Sequence, residues 1–497
     1  MRRVSLISLL FLLTISIFTY AADRKYIPDN ADSVFSLNLE LLAQKAEVDL
    51  QLVFNEFFMQ NYADRYLEYR DDDFVADVMT NRLNEYIDFS KTSRVVFFNG
   101  YQQMSLIFDV KNITELDKLM IKMASQEDKL ISVAENAAYR YLALDEYNLI
   151  SWNEEIFTIT LKLKDNYWYN EELNKEYITN IANYIFIDNN PLSDERFSAL
   201  ENETNDFYIW VNLSILDDNN SDFTKFLFAR NYKELSGDNY KDAAITAKIN
   251  FNNGDANLII DSYTPNYSHD ISLLKKQLAD NIYSFVNGEN NYGFLSLAFN
   301  SKELSNQIRN IVGDMSKMHF FDEELKTLEE YGIDVYKLIE LFGGDIFISA
   351  WDSSDNTALL ISASVTDSET VKTILEVLAE DNNNDVYTLD DFFMLVKDSI
   401  LYISSDSNVI DSIINGEVPA VKLDENKLNL AKNNIMSLYL DLDYDMGIFG
   451  YGYKEAFESV YFTSNILENN HTEMIFKIIT RDKDKNSLSI IKSFLGL

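Results

Sequence analysis

The feature that most constrains the fold of this chain is a strand–turn–strand–helix pattern at Asp345–Asp381 that recurs, diverged, at Arg94–Ser125. In the later stretch, DIFISAW sets Ile346, Ile348 and Ala350 on one side. ALLISASV then sets Leu359, Ile361, Ala363 and Val365 on one face against Leu360, Ser362 and Ser364 on the other. A period of two is the signature of a half-buried strand. The Asp, Ser and Asn residues of Asp352–Thr357 can bond their own backbone and supply the turn between the strands. Thr366, Asp367 and Ser368 are N-cap residues for a helix whose apolar stripe is Val371, Ile374, Leu375 and Leu378. In the earlier stretch Met104, Leu106, Phe108 and Val110 alternate, and Leu116, Leu119, Met120 and Met123 form the helix stripe. Phe108 falls opposite Ala363 and Ala124 opposite Ala379 at one constant spacing.

The correspondence continues along the chain. Leu144–Ile159 matches Leu389–Ser404 without a gap, which sets Trp152 against Lys397. Phe207–Leu213 matches Met436–Leu442, Ile245–Thr264 matches Phe462–Thr480, Ser272–Leu278 matches Ser489–Leu495, and Val34–Leu39 matches Phe294–Phe299. The strands are joined by tight turns rather than crossover helices, which favours antiparallel pairing. The expected fold is α+β: two tandem diverged copies of a mainly antiparallel sheet with helices packed on one face. The expected division is a signal peptide at 1–21, a first repeat domain at 22–280, a linker at 281–291 and a second repeat domain at 292–497.

Arg2 and Arg3 precede the apolar Leu6–Thr19, and Thr19-Tyr20-Ala21 offers small residues at a cleavage position, the pattern of a secretory signal. No later stretch approaches the ~20 continuous apolar residues of a membrane helix, so no span is expected after cleavage. With 47% hydrophobic and 13% aromatic residues the chain has the material for large cores. It has no cysteine, which excludes disulfides, thiolate chemistry and a lipidated N-terminal cysteine. A net charge of −39 argues against nucleic acid, whose binding needs a basic footprint. The expected location is therefore exported: periplasm, outer surface or secreted.

Few residues suggest chemistry. His269, His319 and His471 stand apart, without the spacing of a zinc site. Asp441, Asp443 and Asp445 alternate like the start of a calcium loop, and Ca²⁺ is the one cofactor they suggest. The glycine of such a loop would fall at Met446 and its closing acid at Gly452, and a strand with one wet face gives the same alternation. Tyr167, Trp168 and Tyr169 are the candidates for stacking on a sugar; such a run also caps cores. No catalytic residue is assigned.

KYIPDNADSVFSLNLELLAQKA (Lys25–Ala46) and GIDVYKLIELFGGDIFISAWD (Gly332–Asp352) resemble an exported bacterial family known as domain of unknown function family 4836. The entry strand and Gly344-Asp345 carry the resemblance most clearly. It implies an exported α+β protein and supplies no catalytic residues, because that family has no assigned activity. Many of its members are lipoproteins, and this chain departs from them in lacking the lipidated cysteine. The leading reading is a non-enzymatic protein that binds an unknown envelope protein or ligand through a groove between its copies. The second is a carboxylate-based hydrolase acting on cell-wall or host glycan, which needs two facing acids in a cleft.

Overall fold

The computed structural model of the chain describes residues 26–49, 83–88, 90–98, 103–126, 129–134, 137–144, 148–162, 174–187, 190–213, 242–265, 271–314, 335–353, 357–444, 452–467 and 471–495. The signal-like stretch 1–21, Tyr167, Trp168, Tyr169, His269, His319 and Asp445 lie outside them. The chain forms two compact units. The first comprises Met1–Leu227, Ala244–Asn252 and Lys485–Leu497; the second comprises Phe228–Ala243 and Asn253–Asp484.

The first unit holds strands β1 (Ser33–Leu37), β2 (Ser93–Phe98), β3 (Gln103–Asp109), β4 (Ser132–Val133), β5 (Arg140–Ala143), β6 (Leu149–Trp152), β7 (Ile156–Lys162), β8 (Phe207–Asn212) and β9 (Ala244–Asn252). They pair antiparallel in the order β4-β5-β6-β7-β3-β2-β1-β8-β9. The second unit holds β10 (Asp255–Tyr263), β11 (Asn291–Ala298), β12 (Phe342–Asp352), β13 (Thr357–Val365), β14 (Asp381–Asn383), β15 (Val386–Leu389), β16 (Phe392–Lys397), β17 (Ile400–Ser404), β18 (Met436–Asp441), β19 (Phe457–Ile466) and β20 (His471–Thr480). Their order is β14-β15-β16-β17-β13-β12-β11-β18-β19-β20-β10, again antiparallel throughout. From β4 to β9 and from β14 to β19 the two orders agree strand for strand. The fold is α+β with antiparallel sheet.

The registers place one segment differently from the sequence pattern. Phe108 faces Phe157, which is the cross-strand partner of Trp152, and Ala363 faces Leu401, which is the cross-strand partner of Val396. With Phe108 and Ala363 as equivalents, Trp152 therefore corresponds to Val396 and not to Lys397. A one-residue slip turns every side chain to the other face, and burial agrees with the shift: Trp152 and Val396 are core residues, while Lys397 bonds helix-end carbonyls.

Helices pack on both faces of each sheet, which corrects the expectation of helices on one face. In the first unit the helix Ile113–Gln126 sends Leu116, Leu119 and Met120 against Phe108, Trp152 and Phe157. On the opposite face Ile181 and Ile185 of the helix Asn174–Phe186, with Phe197 and Leu200 of Glu195–Asn202, pack on Val34, Val96 and Ile107. The second unit repeats this. Val371 and Leu375 of Ser368–Leu378 meet Val365, Val396 and Leu401, while Ile410, Ile413 and Ala431 of Ser407–Asn415 and Glu425–Asn433 meet Phe294, Phe347 and Leu360. The physical reason is that successive strand residues such as Val95 and Val96, or Leu395 and Val396, supply apolar surface to opposite sides.

Two ion pairs lock elements to the sheets. The Lys45 Nζ lies 2.6 Å from Asp206, which is 2% exposed and also accepts from the Phe251 N–H at 2.6 Å. In the second unit Asp345, 3% exposed, takes Lys276 Nζ at 2.6 Å and the Ala279 N–H at 3.2 Å. Its neighbour Gly344 has φ +88°, and a Cβ there would stand 1.8 Å from the Phe299 carbonyl oxygen. The Gly-Asp pair is thus a strand entry that only glycine can make, followed by a buried anchor. The stretch Asn281–Asn291 buries Ile282 and Val286 in the second unit's core.

The helix Ser487–Leu495 belongs to the first unit. It packs beside Leu39–Ala46 and β9, with Asn486 Nδ2 donating to the Phe251 carbonyl at 2.9 Å and Lys492 Nζ to the Glu47 carbonyl at 3.3 Å.

Candidate functional site

The registers of the second unit align one row of side chains across eight strands: Ile403, Ile361, Ile348, Leu295, Leu438, Phe462, Phe476 and Leu258, from β17 to β10. Every member is a large hydrophobic residue, yet seven are only half-buried and Phe476 is 39% exposed. At one end Ile403 packs beside the helix Ser368–Leu378. From there outward, no other member of the row joins the buried cores formed by the described residues. The flanking rows on the same side continue the character, with Leu359, Leu297, Met436, Leu440, Met474, Ile478 and Ile260 half-buried as well.

The other side of the same strands is the covered one, and it carries small polar residues. Ser362, Phe347, Ser296, Ser437 and Thr463 stand in one row there, and each is at most 5% exposed. Serine is small enough to let a helix approach closely, and Ser437 Oγ donates to the helix carbonyl of Leu430 at 2.6 Å. An antiparallel sheet with one open face normally turns its polar set outward. Here the polar set is inside and the partly exposed face is hydrocarbon. The alternation in ALLISASV points the other way, with Leu359 and Ile361 as the inward set. The structure places Leu360 and Ser362, 1% exposed each, in the covered position.

The equivalent row of the first unit runs Ile159, Leu106, Val95, Phe35, Ile209 and Ala247. Its centre is closed: Phe35 is 8% and Val95 3% exposed. Aromatic rings fill the space, with Phe35 edge-on to Phe97 at 5.2 Å, Phe35 near Phe207 at 6.5 Å, and Phe108 by Phe157 at 5.3 Å. The second unit has Leu295, Ala350, Met436, Ala363 and Leu401 at those places. With that set Leu295, Ala350 and Met436 are half-buried, while Ala363 and Leu401 stay buried.

The polar candidates are drawn into local structure. Asp441 Oδ1 accepts the Asp443 N–H at 3.1 Å, and its carboxylate faces Lys427 at 3.6 Å, while Asp443 pairs with Arg481. A turn thus brings Asp441 and Asp443 together, each against a cationic side chain. Lys427 also sits 4.5 Å over the Tyr439 ring, whose hydroxyl burial holds well above its ordinary pKa. His471 Nδ1 lies 2.8 Å from Asp261 Oδ1 across the β10–β20 pair, with the Tyr263 ring 4.7 Å away. Burial raises the Asp109 carboxyl to about 6 despite Lys91 at 3.7 Å. Among the described residues no three acids or histidines are grouped to hold a metal ion, and no helix is long and apolar enough to cross a membrane. Sequence reasoning missed the open row altogether. The signal was present as leucine and isoleucine at alternate positions of several strands, but covered and open faces share that signal.

No family model matches the chain. A curated protein of Brachyspira hyodysenteriae, described as the uncharacterized protein in the tlyA 5' region, is 59% identical over 148 residues, which make up 29% of this chain and 97% of that protein. Among solved structures, crystal forms I and III of TP0453 share a distant likeness at TM-scores of 0.27 and 0.28 and identities of 9% and 11%. These matches cover 50% of this chain and 82% and 83% of those chains, a likeness too slight to argue from.

Proposed function

This chain belongs to the family of the uncharacterized tlyA 5'-region protein of Brachyspira hyodysenteriae, and we propose that it is an exported, acidic, non-enzymatic protein that binds an apolar partner on the open sheet face of its second unit. One observation carries the reading: the hydrocarbon row from Ile403 to Leu258 stays partly exposed while serines occupy the covered side. Large apolar patches on a water-soluble surface mark interaction sites. Export is supported by Arg2 and Arg3 before the apolar Leu6–Thr19, and the resemblance to family 4836 belongs to the same proposal.

We also read the two units as diverged tandem copies. The support is the shared strand order and the same placement of helices on both faces. On this reading one copy kept a filled core and the other an open face, and only the open one binds.

The test uses the neutral dye Nile red with the purified full chain. Saturable dye fluorescence is expected, reduced at least fivefold in a Leu438→Gln, Phe476→Gln double variant whose circular dichroism and melting temperature match the wild type. Equal dye binding by the variant would place the apolar site elsewhere and end the proposal.

A further inference from the structure

We infer that the Arg94–Glu201 ion pair is an acid-sensitive clasp: neutralising Glu201 releases the helix Glu195–Asn202 from the sheet of the first unit, while the matching helix Glu425–Asn433 of the second unit stays seated. The inference is independent of the apolar binding role proposed above.

The two units put different chemistry at one place. On β2, Arg94 stands between Ile107 of β3 and Ser36 of β1. With Phe108 and Ala363 as equivalents, the same place in the second unit is Phe347, between Ser362 of β13 and Ser296 of β11. The helices concerned begin alike, capped by Asp194 and Asp424. At the same distance past the cap one carries Glu201 and the other Ala431. Phe347 and Ala431 are both 0% exposed and share one apolar cluster. Arg94 is 6% exposed, and its guanidinium pairs with the Glu201 carboxylate. The helix Glu195–Asn202 does bury Phe197 and Leu200, but at Glu201 it meets the sheet through charge.

Protons do not touch a hydrocarbon contact, whereas a buried pair that loses one charge is strongly destabilised. Acid can remove only the charge of Glu201, because a guanidinium stays protonated throughout. The pair therefore contributes while the carboxylate is ionised, and that contribution is lost as pH falls through the carboxylate range. The surrounding groups fix the direction. Tyr208 of β8 lies within reach of both Arg94 and Glu201, and burial raises its hydroxyl above its ordinary value, so it stays neutral. Lys248 of β9 pairs with Glu203, and Asp194 pairs with Arg196, both beside the clasp. Asp109 of β3 feels the charges of Lys91, Arg94 and Asp88, and burial raises it to about 6. Acid favours its native form, so Asp109 opposes release and has to be removed from the comparison.

The experiment is amide hydrogen exchange on the full chain carrying Asp109→Asn, at about pH 7 and about pH 3.5, with intrinsic rates corrected. Peptides from Glu195–Asn202 are expected to exchange at least about fivefold faster in acid, relative to those from Glu425–Asn433. Both helices start at an aspartate cap, so loss of the caps in acid is common to the two. Glu201→Gln keeps the shape and removes the charge. It should show the accelerated ratio already at about pH 7, with no further rise in acid. Arg94→Phe, Glu201→Ala installs the second unit's pair and should hold one ratio at both pH values. An unchanged ratio in acid overturns the inference, and so does a Glu201→Gln chain that behaves like its parent. Equal loss of protection in both helices also overturns it, because that is acid unfolding of the chain and not release of one helix.

Discussion

Gly344 shows how one residue can decide whether the second unit forms. At φ +88°, with a Cβ position 1.8 Å from the Phe299 carbonyl, any side chain must move backbone. Gly344→Ala is expected to cost at least about 3 kcal/mol, read as a lower denaturant midpoint with the slope unchanged. Asp109 acts through its proton. Burial raises its carboxyl to about 6 from an ordinary 3.8, so between those values the folded state holds more proton than the unfolded chain. Stability contributed by this group therefore falls as pH rises from about 4 to 6 and stays lower above that. Asp109→Asn should remove that fall, leaving the variant about 1–2 kcal/mol more stable than the wild type at pH 7 relative to their difference at pH 4. Melting curves at the two pH values check it, and an unchanged difference would show that Asp109 titrates normally.

At the scale of elements, helix starts were legible because capping is local chemistry. Asp367, read as a cap candidate from sequence, accepts the Thr370 N–H at 3.1 Å. Asp194 caps Glu195–Asn202 by accepting from the N–H groups of Arg196 at 2.8 Å and Phe197 at 3.1 Å. Asp194→Ala should cost about 1 kcal/mol and Asp194→Ser much less, with hydrogen exchange at Arg196 and Phe197 as the local readout. Strands at Leu359 and Met104 were equally legible from period two. Which face of a strand is covered was not. Leu360 and Ser362 go under helices because of what those helices bring, and that is set by residues such as Ile410 and Ala431 far along the chain. The half-buried row was unreadable for the same reason, since it exists only when seven registers are fixed together. Lys397 illustrates the residual error: a one-residue slip in one hairpin is invisible to a pattern match and decisive for the side-chain direction.

For the molecule as a whole, the membership of Ser487–Leu495 in the first unit could not be foreseen from local pattern. A chain truncated after Asp484 should lose protection from hydrogen exchange in Leu39–Ala46 and β9 while β11, β12 and β13 keep theirs. Protection lost equally in all of these would mean that the helix serves the whole chain and not one unit.

That placement also bears on how the protein is made. Synthesis runs from the amino end, and domains ordinarily fold as soon as they emerge. The first unit departs from that schedule, because its helix Ser487–Leu495 follows Asn253–Asp484 of the second unit in the sequence. The strands of the first unit therefore stand without their last helix until the intervening segment of the second unit has been synthesised.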